Sequence, residues 1–181
     1  MPAVEPPEPF RTAVRQYAVR ARTKGPDELD RWLERWYEPA FRTAYLVLDR
    51  RDDAEEVVRQ AFLRLWRFRE SMPEGDALGP WVYRAVVSAC SSLATGEPGR
   101  SDECVGEAPA GGAVLGALSR LPVDLRVPVV LSHYAGLSER EIAVAVRRRA
   151  GTVRARLEEG RRRLCADPRI AGLSESERGA R

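Results

Sequence analysis

Ser138 and Glu141 stand immediately ahead of the apolar positions Ile142, Ala143 and Val146, the arrangement of a capping box at the head of a short helix. Gly136 closes the helix before it. After a brief break, Ala150, Val153, Leu157 and Leu164 recur at the spacing of a second apolar face. Two short helices joined so closely bury their stripes by crossing, so residues 136–163 read as a helix-turn-helix. Eight arginines lie between positions 147 and 163, against Glu158 and Glu159. The whole chain has 181 residues and a formal charge of only +3, and Lys24 is its one lysine. A solitary arginine therefore says little, whereas this local excess matters.

The length suits two small helical units. Pro2, Pro6, Pro7 and Pro9 keep residues 1–9 out of a helix, and Phe10, Val14 and Tyr17 stand among Arg11, Arg15, Arg20, Arg22 and Lys24. Residues 1–25 are thus expected to form a disordered or partly helical arm, solvated rather than packed. From Pro26, with Asp27 and Glu28 favouring a helix start, one stripe comprises Leu29, Trp32, Leu33, Trp36, Ala40, Phe41, Ala44, Tyr45 and Leu48. Asp53 and Glu56 predict a capping-box-like start for a second helix that buries Val57, Val58, Ala61, Phe62, Leu65 and Trp66. A loop over 70–80 leads to a third helix over 81–93 with Trp81, Val82, Ala85, Val86 and Ala89 inward.

Residues 95–112 carry Glu97, Asp102, Glu103 and Glu107 against Arg100 without any period, and read as a flexible acidic linker. Beyond it, Val114, Leu115, Leu118 and Leu121 mark one helix. Leu125, Val129, Val130, Leu131 and Tyr134 mark the next, with Pro128 near its start. The expected fold is all-α: a three-helix bundle over 26–94, the linker, a four-helix helix-turn-helix domain over 113–165, and a flexible tail over 166–181.

Several classes are excluded. Cys90, Cys104 and Cys165 are widely spaced, which fits a reducing interior and neither a disulfide scaffold nor a metal site. No stretch is apolar for long enough to span a bilayer, so a cytoplasmic protein without membrane insertion is expected. His133 is the single histidine and reads as a partly packed side chain. The paired acids Asp52-Asp53 and Glu55-Glu56 fit a helix N-terminus. No constellation of nucleophile, base and metal ligand appears, so no catalytic residue, cofactor or metal is expected.

In a helix-turn-helix the second helix enters the major groove. With Val153, Leu157 and Leu164 toward the core, the opposite face holds Arg148, Gly151, Thr152, Ala155, Glu158, Glu159 and Arg162. Small residues there admit the backbone closely. Arg148 suits a bidentate grip on guanine, Thr152 a base edge or thymine methyl, and Glu159 a cytosine amino group. Arg149, Arg154, Arg156, Arg161 and Arg163 lie in the turn or toward the flanks, where they meet phosphates.

These segments resemble the extracytoplasmic-function (ECF) sigma factors, the two-domain class that directs bacterial RNA polymerase to promoters. In the first unit the resemblance rests on Asp53-Ala54-Glu55, then Phe62, Leu63, Arg64 and Trp66, and Trp81-Val82-Tyr83-Arg84. In the second it rests on Leu118, Leu121-Pro122, Arg126, Val129-Val130-Leu131, Gly136-Leu137-Ser138, Glu141-Ile142-Ala143 and the run from Gly151 to Leu157. The resemblance implies a first unit that binds core polymerase and the minus-10 element, and a second that binds the minus-35 duplex. Polymerase would meet Asp53, Glu55, Glu56, Arg59, Gln60, Phe62, Leu63 and Trp66. The loop over 67–80 would hold a flipped base, with Trp81 and Arg84 at the DNA. The linker would thread the RNA exit path. Core polymerase, promoter DNA and an anti-sigma factor are the implied partners.

The chain departs from the family pattern at three places. Arg59-Gln60 replaces Gln-Glu, which retunes polymerase contact. Residues 86–99 lack the usual basic cluster, which weakens the grip on DNA. Arg147, Arg148 and Arg149 replace Gly, an aliphatic residue and Ser, so this turn is expected to be strained or loose. Two other readings stay open: a sigma-like regulator with weakened promoter melting, and a module whose basic helix binds an acidic protein.

Overall fold

The structure, a computed structural model, describes residues 5–8, 10–12, 16, 26–73, 75–96 and 112–170, and every regular element among them is helical. The helices are α1 (Pro26–Leu48), α2 (Arg51–Arg67), α3 (Gly79–Gly96), α4 (Gly112–Ser119), α5 (Val123–His133), α6 (Glu139–Ala145) and α7 (Ala150–Ala166). Two 3-10 turns, Arg69–Ser71 and Gly75–Leu78, carry the chain from α2 to α3. The all-α expectation holds. The acidic segment 97–111 lies outside the described residues.

Helices α1 to α3 pack mutually as a bundle. Its centre contains Leu33 and Tyr37 from α1, Val58, Phe62 and Trp66 from α2, and Val82 and Val86 from α3. Helix α1 runs through Pro39, and the buried Thr43 hydroxyl donates to the Pro39 carbonyl at 2.8 Å, satisfying itself inside the core. The predicted capping box at Asp53 does not form. Asp49 takes the left-handed conformation, φ 58°, and α2 starts at Arg51, two residues before Asp53. The chain reverses at Asp49 and Arg50, aspartate being among the residues that tolerate positive φ best. The Asp53 carboxylate instead lies 3.4 Å from the Arg50 guanidinium.

Three further expectations are corrected. Phe10 is 5% exposed and packs edge-on against Tyr37 at a centroid distance of 4.9 Å, so this part of the arm is packed onto the bundle rather than solvated. Trp81 is 41% exposed rather than inward: Gly79 and Val82 in the same turn are buried, so Trp81 lies on the outer side of the head of α3. Pro128 lies in the second turn of α5, not near its first residue, with Pro122 as the N-cap.

In the second unit α5 ends ahead of Gly136 at φ 67°, and the Leu137 N–H returns to the Leu131 carbonyl at 3.0 Å. Helices α5 and α7 meet at Gly160, where a Cβ atom would stand 2.7 Å from Val129 Cγ2. Only glycine allows so close an approach without displacing Val129.

The two units are packed together. Helix α1 lies against α4 and α5, α3 lies against α6, and the buried residues of both units form one cluster. Arg126 on α5, 5% exposed, donates to the Val47 carbonyl of α1 at 2.5 Å, to the Leu121 carbonyl at 2.9 and 3.2 Å, and to the Ser119 carbonyl. A single guanidinium therefore joins the C-terminal ends of α1 and α4, where dipoles leave partial negative charge. Tyr134 adds a second polar link through a hydrogen bond with Arg42, and burial pushes its phenol pKa up. Among the described residues no helix is long and apolar enough to cross a membrane.

Candidate nucleic-acid interface

The predicted capping box at Ser138 is present. Glu141 N–H donates to Ser138 Oγ at 3.3 Å, and the Ser138 N–H donates to Glu141 Oε2 at 2.8 Å. Hydrogen bonds from the Ser138 hydroxyl and backbone hold the Glu141 carboxyl below its ordinary range. Since two donors at the head of α6 depend on this pair, Ser138→Ala should cost about 1 kcal/mol. Thermal melting of the chain, with hydrogen exchange at the first turn of α6, measures it.

The turn into α7 is strained as the sequence suggested. Arg147 sits at φ 52°, and Arg149 serves as N-cap with no side-chain hydrogen bond. Val153, Leu157 and Gly160 are the buried side of α7. Arg148, Arg149, Gly151, Thr152, Arg154, Ala155 and Arg162 are exposed, and Glu159 is partly so. This places the expected reading face in solvent.

Several of those charges already have partners. Arg154 is bound to Glu139 at 3.0 Å, and Arg156 lies 3.4 Å from Asp124. Glu159 holds Arg163 at 2.7 Å and also Arg162, so the carboxylate read as a cytosine acceptor is engaged along its own helix. Exposed pairs of this kind are worth at most about 1 kcal/mol, and phosphates can displace them. Arg161 donates to His133 Nε2 at 3.1 Å, so His133 is exposed and hydrogen-bonded rather than packed.

On α2, Phe62 and Trp66 are each 1% exposed. They are core residues and cannot themselves touch a polymerase surface. Asp53, Glu55, Glu56, Arg59, Gln60 and Leu63 line the accessible side. Arg59 binds Glu56 at 2.5 to 2.9 Å, and Gln60 donates to the same carboxylate at 2.7 Å. Burial pushes the Glu56 carboxyl up, but these hydrogen bonds outweigh it and hold the group below the ordinary range. The atypical Arg59-Gln60 pair thus engages the acid one turn before it.

The loop after α2 borders a cavity of 560 Å³ lined by Trp32, Trp36, Arg31, Arg35, Met72 and Pro73, among others. This volume falls within the range of small-ligand pockets. Gly79 admits the Trp36 ring, whose Cη2 would lie 2.9 Å from an added Cβ. Trp32 and Trp36 are therefore half-buried cavity walls rather than pure core. Their neighbours Arg31 and Arg35, one turn apart on the same helix, were the available signal. Trp81 and Arg84 stand elsewhere, at the head of α3, with the guanidinium 5.7 Å from the indole centroid.

Two sequence profiles match this chain: Sigma-70 region 2 over residues 32–96, and Sigma-70, region 4 over residues 112–164. The ECF RNA polymerase sigma factor SigE of Mycolicibacterium smegmatis is 25% identical over 142 residues, covering 68% of this chain and 55% of that protein. The chain belongs to the sigma-70 family, in its ECF class. Another sigma-70 relative, the ECF RNA polymerase sigma-E factor of Escherichia coli K12, is 29% identical over 130 residues, covering 58% of this chain and 68% of that one. The matched part thus spans about half of the mycobacterial sigma factor and two thirds of the enterobacterial one. The sigma factor RpoE of Bartonella quintana, solved in complex with the anti-sigma factor NepR, superposes with a TM-score of 0.58 at 19% identity, covering 70% of this chain and 88% of that one. That likeness is one of fold.

Proposed function

We propose that this chain is a sigma factor that binds core RNA polymerase and directs promoter-specific initiation. The observation that carries this reading is the presence, on one chain, of a region 2 bundle and a region 4 helix-turn-helix whose reading face is exposed. In this reading residues 26–94 take the polymerase and the minus-10 element, 95–112 form the connection, and 113–165 take the minus-35 duplex. The polymerase contact uses Asp53, Glu55, Glu56, Arg59, Gln60 and Leu63, with Phe62 and Trp66 shaping the helix from beneath. Trp81 and Arg84 meet the melted strand, and the cavity beside Trp36 receives a flipped base. Arg148, Gly151, Thr152 and Ala155 face base edges, while Arg149, Arg154, Arg156 and Arg162 reach phosphates. Glu159 orients Arg162 and its neighbour Arg163. An anti-sigma factor is a further partner in this reading, and the sigma-70 family supplies no chemistry of its own.

The test is reconstitution of holoenzyme from purified core polymerase, followed by transcription from promoters mapped by that holoenzyme. Arg148→Ala should weaken promoter binding by about 1 to 3 kcal/mol and relax preference at one base pair. Failure of the chain to associate with core polymerase would overturn the reading. Loss of affinity that is uniform across all sequences would move Arg148 to the phosphate contacts.

A further inference from the structure

A groove of 840 Å³ runs between the two units, walled by α2 and α3 on one side and by the start of α5 and the α6–α7 turn on the other. Arg64, Arg84, Arg147 and Arg148 line it, and none of these guanidinium groups has a carboxylate partner among the described residues. The acid on its wall, Asp124, is taken by Arg156. Cationic groups gathered in one concavity repel each other, and their field favours an anion. Phe68 and Trp81 on the same wall are 50% and 41% exposed; each has an arginine 5.7 Å from its ring centroid, Arg67 and Arg84 respectively, and each still presents ring area to the groove. Arg147 reaches the groove from a left-handed backbone, φ 52°, a conformation that disfavours any side chain larger than glycine and that is kept where surrounding structure or function requires it.

A ligand that fits this lining carries clustered negative charge at one end and a flat aromatic system at the other. We propose that the groove binds a purine nucleoside di- or triphosphate, whose phosphates bridge arginines of the two units and whose base stacks on Phe68 or Trp81. The chemistry is that of charge-assisted hydrogen bonds from guanidinium forks and of aromatic stacking. A promoter strand is the poorer occupant. Minus-10 and minus-35 elements lie roughly 85 Å apart along B-form DNA, and units held that far apart no longer form this groove. A bound nucleotide therefore stabilises the packed arrangement and opposes promoter engagement, in proportion to its saturation. Binding itself stands apart from the sigma-factor reading; only its effect on transcription rests on it.

The experiment titrates the full chain, free of polymerase, into a fluorescent N-methylanthraniloyl derivative of GDP or ATP and follows anisotropy. Saturable binding is expected, with inorganic pyrophosphate competing at least about tenfold more weakly than the unlabelled nucleotide because it lacks the base. The double variant Arg64→Ala with Arg147→Ala should weaken binding about tenfold or more. Arg147→Gly provides a second variant that relieves the backbone, so weaker binding must appear with an unchanged or higher melting temperature. Absence of saturable binding up to millimolar nucleotide overturns the proposal, as does equal affinity in the double variant or equal competition by pyrophosphate. Displacement by a short oligo(dT) at far lower concentration than nucleotide, lost in the double variant, would reassign the groove to single-stranded nucleic acid.

Discussion

Arg126→Met should lower the melting temperature of this chain by roughly 10 °C. The guanidinium is 5% exposed and serves three carbonyls, those of Val47, Ser119 and Leu121. Methionine keeps much of the stem packing and removes every donor, so buried carbonyl groups lose a partner at about 1 to 3 kcal/mol each. Those costs overlap, because the acceptors relax together, and a total of about 3 to 5 kcal/mol is expected. Arg126→Lys should recover part of it, since one ammonium cannot reach acceptors spread across a guanidinium fork. Differential scanning calorimetry of the three proteins decides. A loss under about 1 kcal/mol would mean that water replaces the guanidinium at all three carbonyls.

The parts of this fold that sequence made legible are those governed by neighbours along the chain. The Ser138 and Glu141 box, the buried face of α2 and the exposed face of α7 each follow from contacts within about one turn. The strained turn at Arg147 was equally visible, because an arginine stands where glycine is usual. What escaped is set by contacts between distant segments. Gly160 looks like a helix defect until Val129 is seen against it, and Phe10 looks solvated until Tyr37 and Phe62 close over it. Asp53 failed as a cap because Asp49 could adopt positive φ, which let the helix begin earlier. Arg126 belonged to a recognisable motif, but its bond to Val47 spans 79 positions of sequence. Of the residues expected to meet polymerase, Phe62 and Trp66 are instead buried, because their apolar spacing describes the core as well as it describes an interface. The pairings of Arg154 and Arg156 with Glu139 and Asp124 likewise cross between helices, and no local pattern announces them.

If the chain is a sigma factor as proposed, packing of the two units makes promoter engagement an opening reaction. A chain of 181 residues folded as one globule has a diameter of about 40 Å, well short of the roughly 85 Å between minus-10 and minus-35 elements. A pair of dyes placed on the two units should therefore transfer energy efficiently in the free chain and lose most of that transfer on polymerase with promoter. The chain offers a clean labelling scheme. Cys165 is exposed, whereas Cys90 is buried and burial pushes its thiol up to about 12, leaving it unreactive at neutral pH. With Cys104→Ser, and with Glu70→Cys at a side chain that is 89% exposed, one dye sits on each unit. The opening cost then sets affinity, because only the open fraction binds. Tyr134→Phe removes the hydrogen bond to Arg42 across the contact while keeping the ring, and a bond of about 1 kcal/mol corresponds to an open fraction raised about fivefold. That variant should show weaker transfer when free and tighter promoter binding as holoenzyme. Unchanged transfer on the promoter complex would mean that the two units stay packed while bound, and would require them to read elements much closer together than the family's spacing.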